Sequence, residues 1–371
     1  MDPLIADIQR EVVFPGRRTG ITWFHPKVGF LPGEPRVAVM LCQQITGSDI
    51  FHVAHESVST DGGRTWSPPR PIEALGRRPL GGGVEEGVCD LVPAYHAPSG
   101  KLLALGHTVK YRDGALHAAG DDRWTVWSVR DEAGEWTPWR VLAVHDPRMD
   151  SVCTAGCAQR LTLEDGSLLL PASWGPRGRK DRAVGTLVCS FDGDELGLVE
   201  AGPELRLPVD RGLLEPTVAR HGGRFFLSIR AEDGHGYVTS SEDGLRWHEK
   251  KPWAWEDGER LTMSTTQQRW LVHSEALFLV YTRRTEENVH VFRWRAPLFL
   301  ARVDTDRLCL LRESEGVVFP NRDDARLGNF MPVSYSRDEA WVTVGECLPE
   351  TWTGDTLLGR IGWARPNAVL S

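Results

Sequence analysis

Along the chain, short apolar runs alternate with clusters of Gly, Pro, Asp and Ser, and helical spacing is scarce. No long stretch places apolar residues at i, i+3, i+4 and i+7 between proper caps, so the pattern predicts an all-β fold. One unit recurs: a turn containing Gly, Asp, Glu or Ser, followed by a strongly apolar strand. Its copies begin at Leu31, Pro98, Glu164, His221, His273 and Arg337, spaced 52 to 67 residues apart. Six units of that size fill the 371 residues. Each unit can bury its two faces only against its neighbours, so the repeat predicts a single six-bladed β-propeller over residues 1–371.

A second repeat marks the hairpins. Ser59-Thr60-Asp61-Gly62-Gly63-Arg64-Thr65-Trp66 fits the S-x-D-x-G-x-T-W pattern of the Asp box. Ser241 to Trp247 is a copy one residue shorter, and the segments at Ser190 and Ser128 are degenerate versions. Asp and Ser side chains tie the backbone of a tight turn, Gly takes positive φ, and Trp packs beneath it. These turns predict fold, not chemistry, so Trp66 and Trp247 are read as structural.

Composition narrows the function. With 41% hydrophobic and 25% charged residues the chain has material for a large core. A net charge of −8 without a basic stripe speaks against a nucleic-acid partner. No apolar run approaches 18 residues, so no membrane span is expected. The start, MDPLIADIQR, has no signal-peptide pattern, and a cytoplasmic location is the expectation. Seven cysteines in no framework spacing fit reduced thiols, and Cys153 and Cys157 lack the second pair a zinc site needs. Gly81-Gly82-Gly83 lacks the Lys-Ser/Thr of a phosphate cradle, so no cofactor or metal is expected. Fifteen tryptophans suit sheet packing and sugar stacking alike.

In a propeller the inner strands line the axis, and one rim collects residues from every blade. Just before each repeated turn, where the preceding strand begins, the chain holds His25, Asp90, Gln159, Glu215, Gln267 and Asn329. Six polar groups in register predict a ring around a hydrated cavity that binds a carbohydrate. The far ends of the following strands add Gln43, His107, Arg230 and Arg284. Arg230 ends the apolar strand FFLSIR, and Glu215 lies 15 residues earlier on the adjacent strand. The two are therefore expected to be cross-strand neighbours.

On these residues the chain resembles the sialidase superfamily. The resemblance implies that Asp49, ten residues before Ser59, is an acid/base. It implies that Glu215 with Pro216 is the family's glutamate, that Arg230 and Arg295 are two of the three arginines that clamp a carboxylate, and that Asp90 is the second-blade aspartate. Two positions depart from the family. Trp23-Phe24-His25-Pro26 puts a histidine where the first arginine belongs, with Arg284 or Arg293 as replacements in space. The nucleophilic tyrosine meets Asn329-Phe330, and Tyr335 is the nearest phenol.

Three functions follow as expectations. The first is an exo-acting glycosidase that removes a terminal anionic sugar, with Asp49, Glu215 and Tyr335 as the catalytic set. If no tyrosine reaches the site, an inverting mechanism is the alternative. The second is a lyase on a uronate-containing glycan, with His25, His107 and Tyr111 beside Arg230. The third is a non-catalytic sugar-binding propeller.

Overall fold

A computed structural model describes residues 1–117 and 122–371. The described chain is all-β, with one four-residue α-turn at Gly16–Thr19 and a few 3-10 turns. Strands pair with sequence neighbours as antiparallel meanders. Trp23–Leu31, Val37–Ile45 and Phe51–Ser59 form one, Leu213–His221, Arg224–Ala231 and Gly236–Ser241 another. The N-terminal strand Ile5–Phe14 pairs with Thr356–Trp363 at the other end of the chain, which closes the ring. No described helix is long and apolar enough to cross a membrane.

Hydrogen bonding yields five sheets, where six separate ones were expected. The difference has a local cause. Arg123 and Trp124 pair in parallel with Val152 and Cys153, joining two meanders into one eleven-stranded sheet. The apolar core lies between successive meanders, as ring packing of β-units requires. Val39 and Leu41 meet Leu102 and Ala104, Leu103 and Leu105 meet Leu168 and Leu170, and Leu169 meets Val218. Phe226 then meets Leu277, Phe278 meets Val342, and Trp341 returns to Phe30 and Met40.

The two well-formed hairpin turns are tied as their side chains suggest. Ser59 Oγ accepts from Gly63 N at 2.9 Å, and Asp61 Oδ1 accepts from Thr65 N at 3.0 Å. Ser241 Oγ and Asp243 Oδ1 take Gly244 N and Leu245 N in the same way, at 2.9 and 2.8 Å. Gly63 has φ 76°, and an added Cβ would sit 2.8 Å from Trp341 Cη2. Gly20 has the same φ with nothing near it. Gly63→Ala is therefore expected to cost about 1–3 kcal/mol in chemical denaturation, more than Gly20→Ala, which carries only the backbone strain. Equal losses would show that the approach to Trp341 costs nothing.

Tyr335 belongs to this outer packing and not to the site. Its ring stacks on Trp341 at 4.3 Å and tilts against Phe30 at 5.3 Å, while its hydroxyl lies over Gly62. The expected nucleophile is thus corrected to a partly buried aromatic packed under the first hairpin turn.

Candidate functional site

Three innermost strands carry a β-bulge, between Phe24 and Lys27, Cys89 and Val92, and Leu214 and Thr217. The bulged residues His25, Asp90 and Glu215 have φ of 51°, 54° and 42°. L-residues avoid this left-handed backbone, at a cost on the order of 1–3 kcal/mol each, unless surrounding structure imposes it. The bulge re-aims each side chain out of the pleat toward the axis. Three such residues line one cavity of about 230 Å³, together with Asp49, His107, Arg230, Arg295 and Asn329.

Asp49 sits at the mouth on an exposed turn closed by Ile50 N donating to Gly47 O at 3.2 Å, with φ 58°. Its backbone oxygen accepts from Tyr111 Oη at 3.1 Å, and Phe51 N donates to the same hydroxyl at 2.9 Å. Tyr111 is therefore a brace behind the turn, its phenol pushed up by burial.

Deeper in, Glu215 Oε1 accepts from Arg230 Nη1 at 2.7 Å across the strand pair. Burial raises the carboxyl, but the Arg230 charge and hydrogen bond outweigh it and hold Glu215 at about 2. Gln267 also helps hold the carboxyl low, although among the described residues Glu215 Oε2 and Gln267 Nε2 are buried without a well-aligned hydrogen bond. Asp90 Oδ1 lies 2.9 Å from His25 Nδ1 and accepts from Asn329 Nδ2 at 2.9 Å. Burial again opposes ionisation, and the His25 charge beside it keeps Asp90 well below the usual carboxylate range. The His25 ring is held between Phe24 and Phe51, at 4.6 and 5.1 Å.

Four expected residues lie elsewhere. Gln159 is a structural link between strands: its amide takes Trp270 N at 2.8 Å and Thr217 Oγ1 at 2.9 Å and donates to Trp270 O at 2.7 Å. The residue with left-handed backbone in that segment is Cys157, φ 65°, which accepts from Asn329 Nδ2 at 3.4 Å. Gln43 is buried and donates to His52 O and Val88 O at 2.8 and 2.9 Å, bridging two meanders. Gln267 backs the site, accepting from the buried Arg269 at 2.8 Å. Arg284 is exposed beside Trp294, in a separate depression with Thr262 and Arg283.

The cavity also holds residues the repeat pattern passes over: Arg123, Arg211, Arg326, Phe292 and Trp352, with Arg293 beside them. Arg211 pairs with Glu232. Arg293 and Arg295 are both lowered, first by burial and then by the Arg230 charge, Arg295 to about 10. Arg293 has φ 53°, held in a strained turn at the rim. Arg211, Phe292, Arg293 and Trp352 lie outside the strands, and Arg123 and Arg326 open strands (Arg123–Arg130 and Arg326–Leu327) that the repeated turn does not mark.

One donor set within the cavity has metal-binding chemistry. Cys89, Asp90 and His107 bring donor atoms within 4.8 Å of one another, and Cys89 Sγ is 3.2 Å from His107 Nε2. Burial raises the thiol far above its ordinary value, and burial and Arg123 help lower His107 to about 4. A protonated thiol in a guanidinium-rich cavity is a poor cation site.

No family model and no curated protein matches the sequence. Solved structures do match in shape. Trypanosoma rangeli sialidase in complex with the inhibitor DANA superposes at TM-score 0.66 with 14% identity, covering 96% of this chain and 60% of that one. A Dyadobacter fermentans protein of unknown function superposes at 0.68 with 12% identity, over 97% of this chain and 100% of its own. The Hadza microbial sialidase Hz136 gives 0.65 with 13% identity, over 95% and 68%. The chain spans about 60% of the length of the Trypanosoma enzyme it matches. With the ring of meanders and the axial cavity, these likenesses identify a β-propeller with the sialidase-like fold.

Proposed function

We propose that the chain is an exo-acting glycoside hydrolase that removes a terminal anionic sugar. The observation that carries this reading is one narrow cavity holding Asp49 at its mouth and Arg230, Arg293 and Arg295 within it. Guanidinium forks match a carboxylate in geometry and charge. In this reading the meanders count as six blades, the eleven-stranded sheet being two, and the tied turns are Asp boxes.

The described cavity lining contains no tyrosine. Water then takes the place of a phenolic nucleophile, and the reaction inverts the anomeric centre. Asp49 donates a proton to the glycosidic oxygen as its bond to the anomeric carbon breaks and the electron pair leaves with that oxygen. Glu215, held near 2 by Arg230, is too weak a base to take a proton from water, so its role is to fix Arg230. His25 is the alternative base: its Nδ1 lies 2.9 Å from Asp90 Oδ1, and as the neutral imidazole its Nε2 accepts the proton of the attacking water.

The test is release from aryl sialosides and aryl uronides, with the anomer of the first product followed by NMR. Release with inversion is expected. Retention would sink the water route and require a covalent intermediate. His25 in place of an arginine favours a second reading, a uronate lyase, in which the same histidine removes the proton α to the carboxylate. An unsaturated product absorbing in the near ultraviolet would establish that reading, and specific binding without turnover would leave a sugar-binding propeller.

A further inference from the structure

The cavity carries more positive charge than one carboxylate uses. Six arginines line it against Asp49, Asp90 and Glu215. Arg230 is matched by Glu215, and Arg211 by Glu232 outside the lining. That leaves Arg123, Arg293, Arg295 and Arg326 facing two carboxylates, one of which already lies beside His25. Among the described residues none of these four makes an ion pair, and Arg295 makes only a 3.4 Å hydrogen bond to Leu327 O. The Nε atoms of Arg295 and Arg326 are buried with no partner. A buried guanidinium without an acceptor is costly, and a protein that keeps several in one cavity has them positioned for a ligand.

Arg295 feels the charges of Arg230 and Arg293, and Arg293 feels those of Arg230 and Arg211. Arg326 lines the same cavity. Its guanidinium lies 4.5 Å from the Phe292 ring, and that of Arg293 lies 5.1 Å from the same ring. Phe292 is 49% exposed at the rim, an apolar ring that holds both cations beside the cavity.

We propose that the natural ligand is dianionic: a sugar acid whose carboxylate is held by Arg230, Arg293 and Arg295, and which carries a second oxyanion, a sulfate or phosphate ester, bound by Arg326. This rests on reading the cavity as a sugar-acid site. Arg123, also unpaired in the cavity, adds to the attraction without being required for the contact.

Isothermal titration at fixed ionic strength tests it with matched probes. These are N-acetylneuraminic acid against its phosphate ester, and an unsaturated uronyl-hexosamine disaccharide without and with one sulfate. The ester in at least one pair is expected to bind about tenfold or more tightly, as one added charge-assisted contact supplies. Arg326→Gln should erase that preference, weakening the ester by about tenfold and the monoanion by less. Arg326→Lys, which keeps the charge without the fork, should keep part of it. Equal binding within both pairs would overturn the second anion and leave the sugar-acid reading standing. Preference undiminished in Arg326→Gln would overturn the assignment of Arg326. No binding of any probe would overturn both readings.

Discussion

Asp49→Ala is expected to slow release from an alkyl glycoside by roughly 10²–10⁴-fold, the usual contribution of a general acid, with a much smaller change in KM. The position makes this a clean test. Asp49 is exposed on a turn at the cavity mouth, its side chain makes no hydrogen bond within the described protein, and the turn is braced through its backbone oxygen by Tyr111. Removing the carboxyl therefore takes away a proton and little structure. The loss should depend on the aglycone. A nitrophenolate leaves without protonation, so its release should fall least, whereas an alkyl glycoside should fall by the full factor. Asp49→Asn, which keeps size and cannot donate an acid proton, should resemble the alanine variant. Wild-type rates in both variants on an alkyl glycoside would remove Asp49 from the mechanism.

The sequence is a good guide where a residue's place follows from strand register. The repeated turn and apolar strand locate the inner strands, and counting back from each turn reaches His25, Asp90 and Glu215, all three at bulges in one cavity. The same count misplaces Gln159, because the left-handed residue of its segment falls two positions earlier, at Cys157. Arg230 follows from its place at the end of FFLSIR opposite Leu214. Tyr335 was drawn toward the site only as the nearest phenol to Asn329, and Trp341 holds it in the outer packing. Arg123, Arg211 and Arg326 come from segments whose direction depends on the turn before them, so periodicity carries no information about them. The parallel join of Arg123–Trp124 to Val152–Cys153 is equally illegible, since two residues of pairing leave no pattern.

Arg230→Met should be the most damaging single change to stability in the site. The Arg230 side chain is 7% exposed and donates to Glu215 at 2.7 Å and to Thr265 Oγ1 at 2.7 Å. Taking one partner from a buried ion pair leaves the other charge uncompensated, a loss of roughly 3–5 kcal/mol. Glu215 is 26% exposed toward the cavity, which places the expected loss near the lower end, about 3 kcal/mol. The pH dependence should change sign as well. In the wild type Glu215 titrates at about 2, below its ordinary 4.5, so it contributes stability that is complete above the ordinary value and lost as pH falls toward 2. Without Arg230, burial, the largest influence on this carboxyl, and the Asp90 charge raise it against the remaining Lys27, Arg211, Arg269 and Arg295 charges. A carboxyl raised on folding contributes stability at low pH that is lost as pH rises through its folded value. Acidification from neutral pH toward the ordinary carboxylate range should thus narrow the gap between variant and wild type. Chemical denaturation of wild type, Arg230→Met, Glu215→Gln and the double variant measures both effects. The double variant should be more stable than Arg230→Met alone, because a neutral amide replaces the stranded charge. Additive losses with no pH-dependent gap would mean that the pair is not coupled, and Glu215 would then regain its claim as the catalytic base.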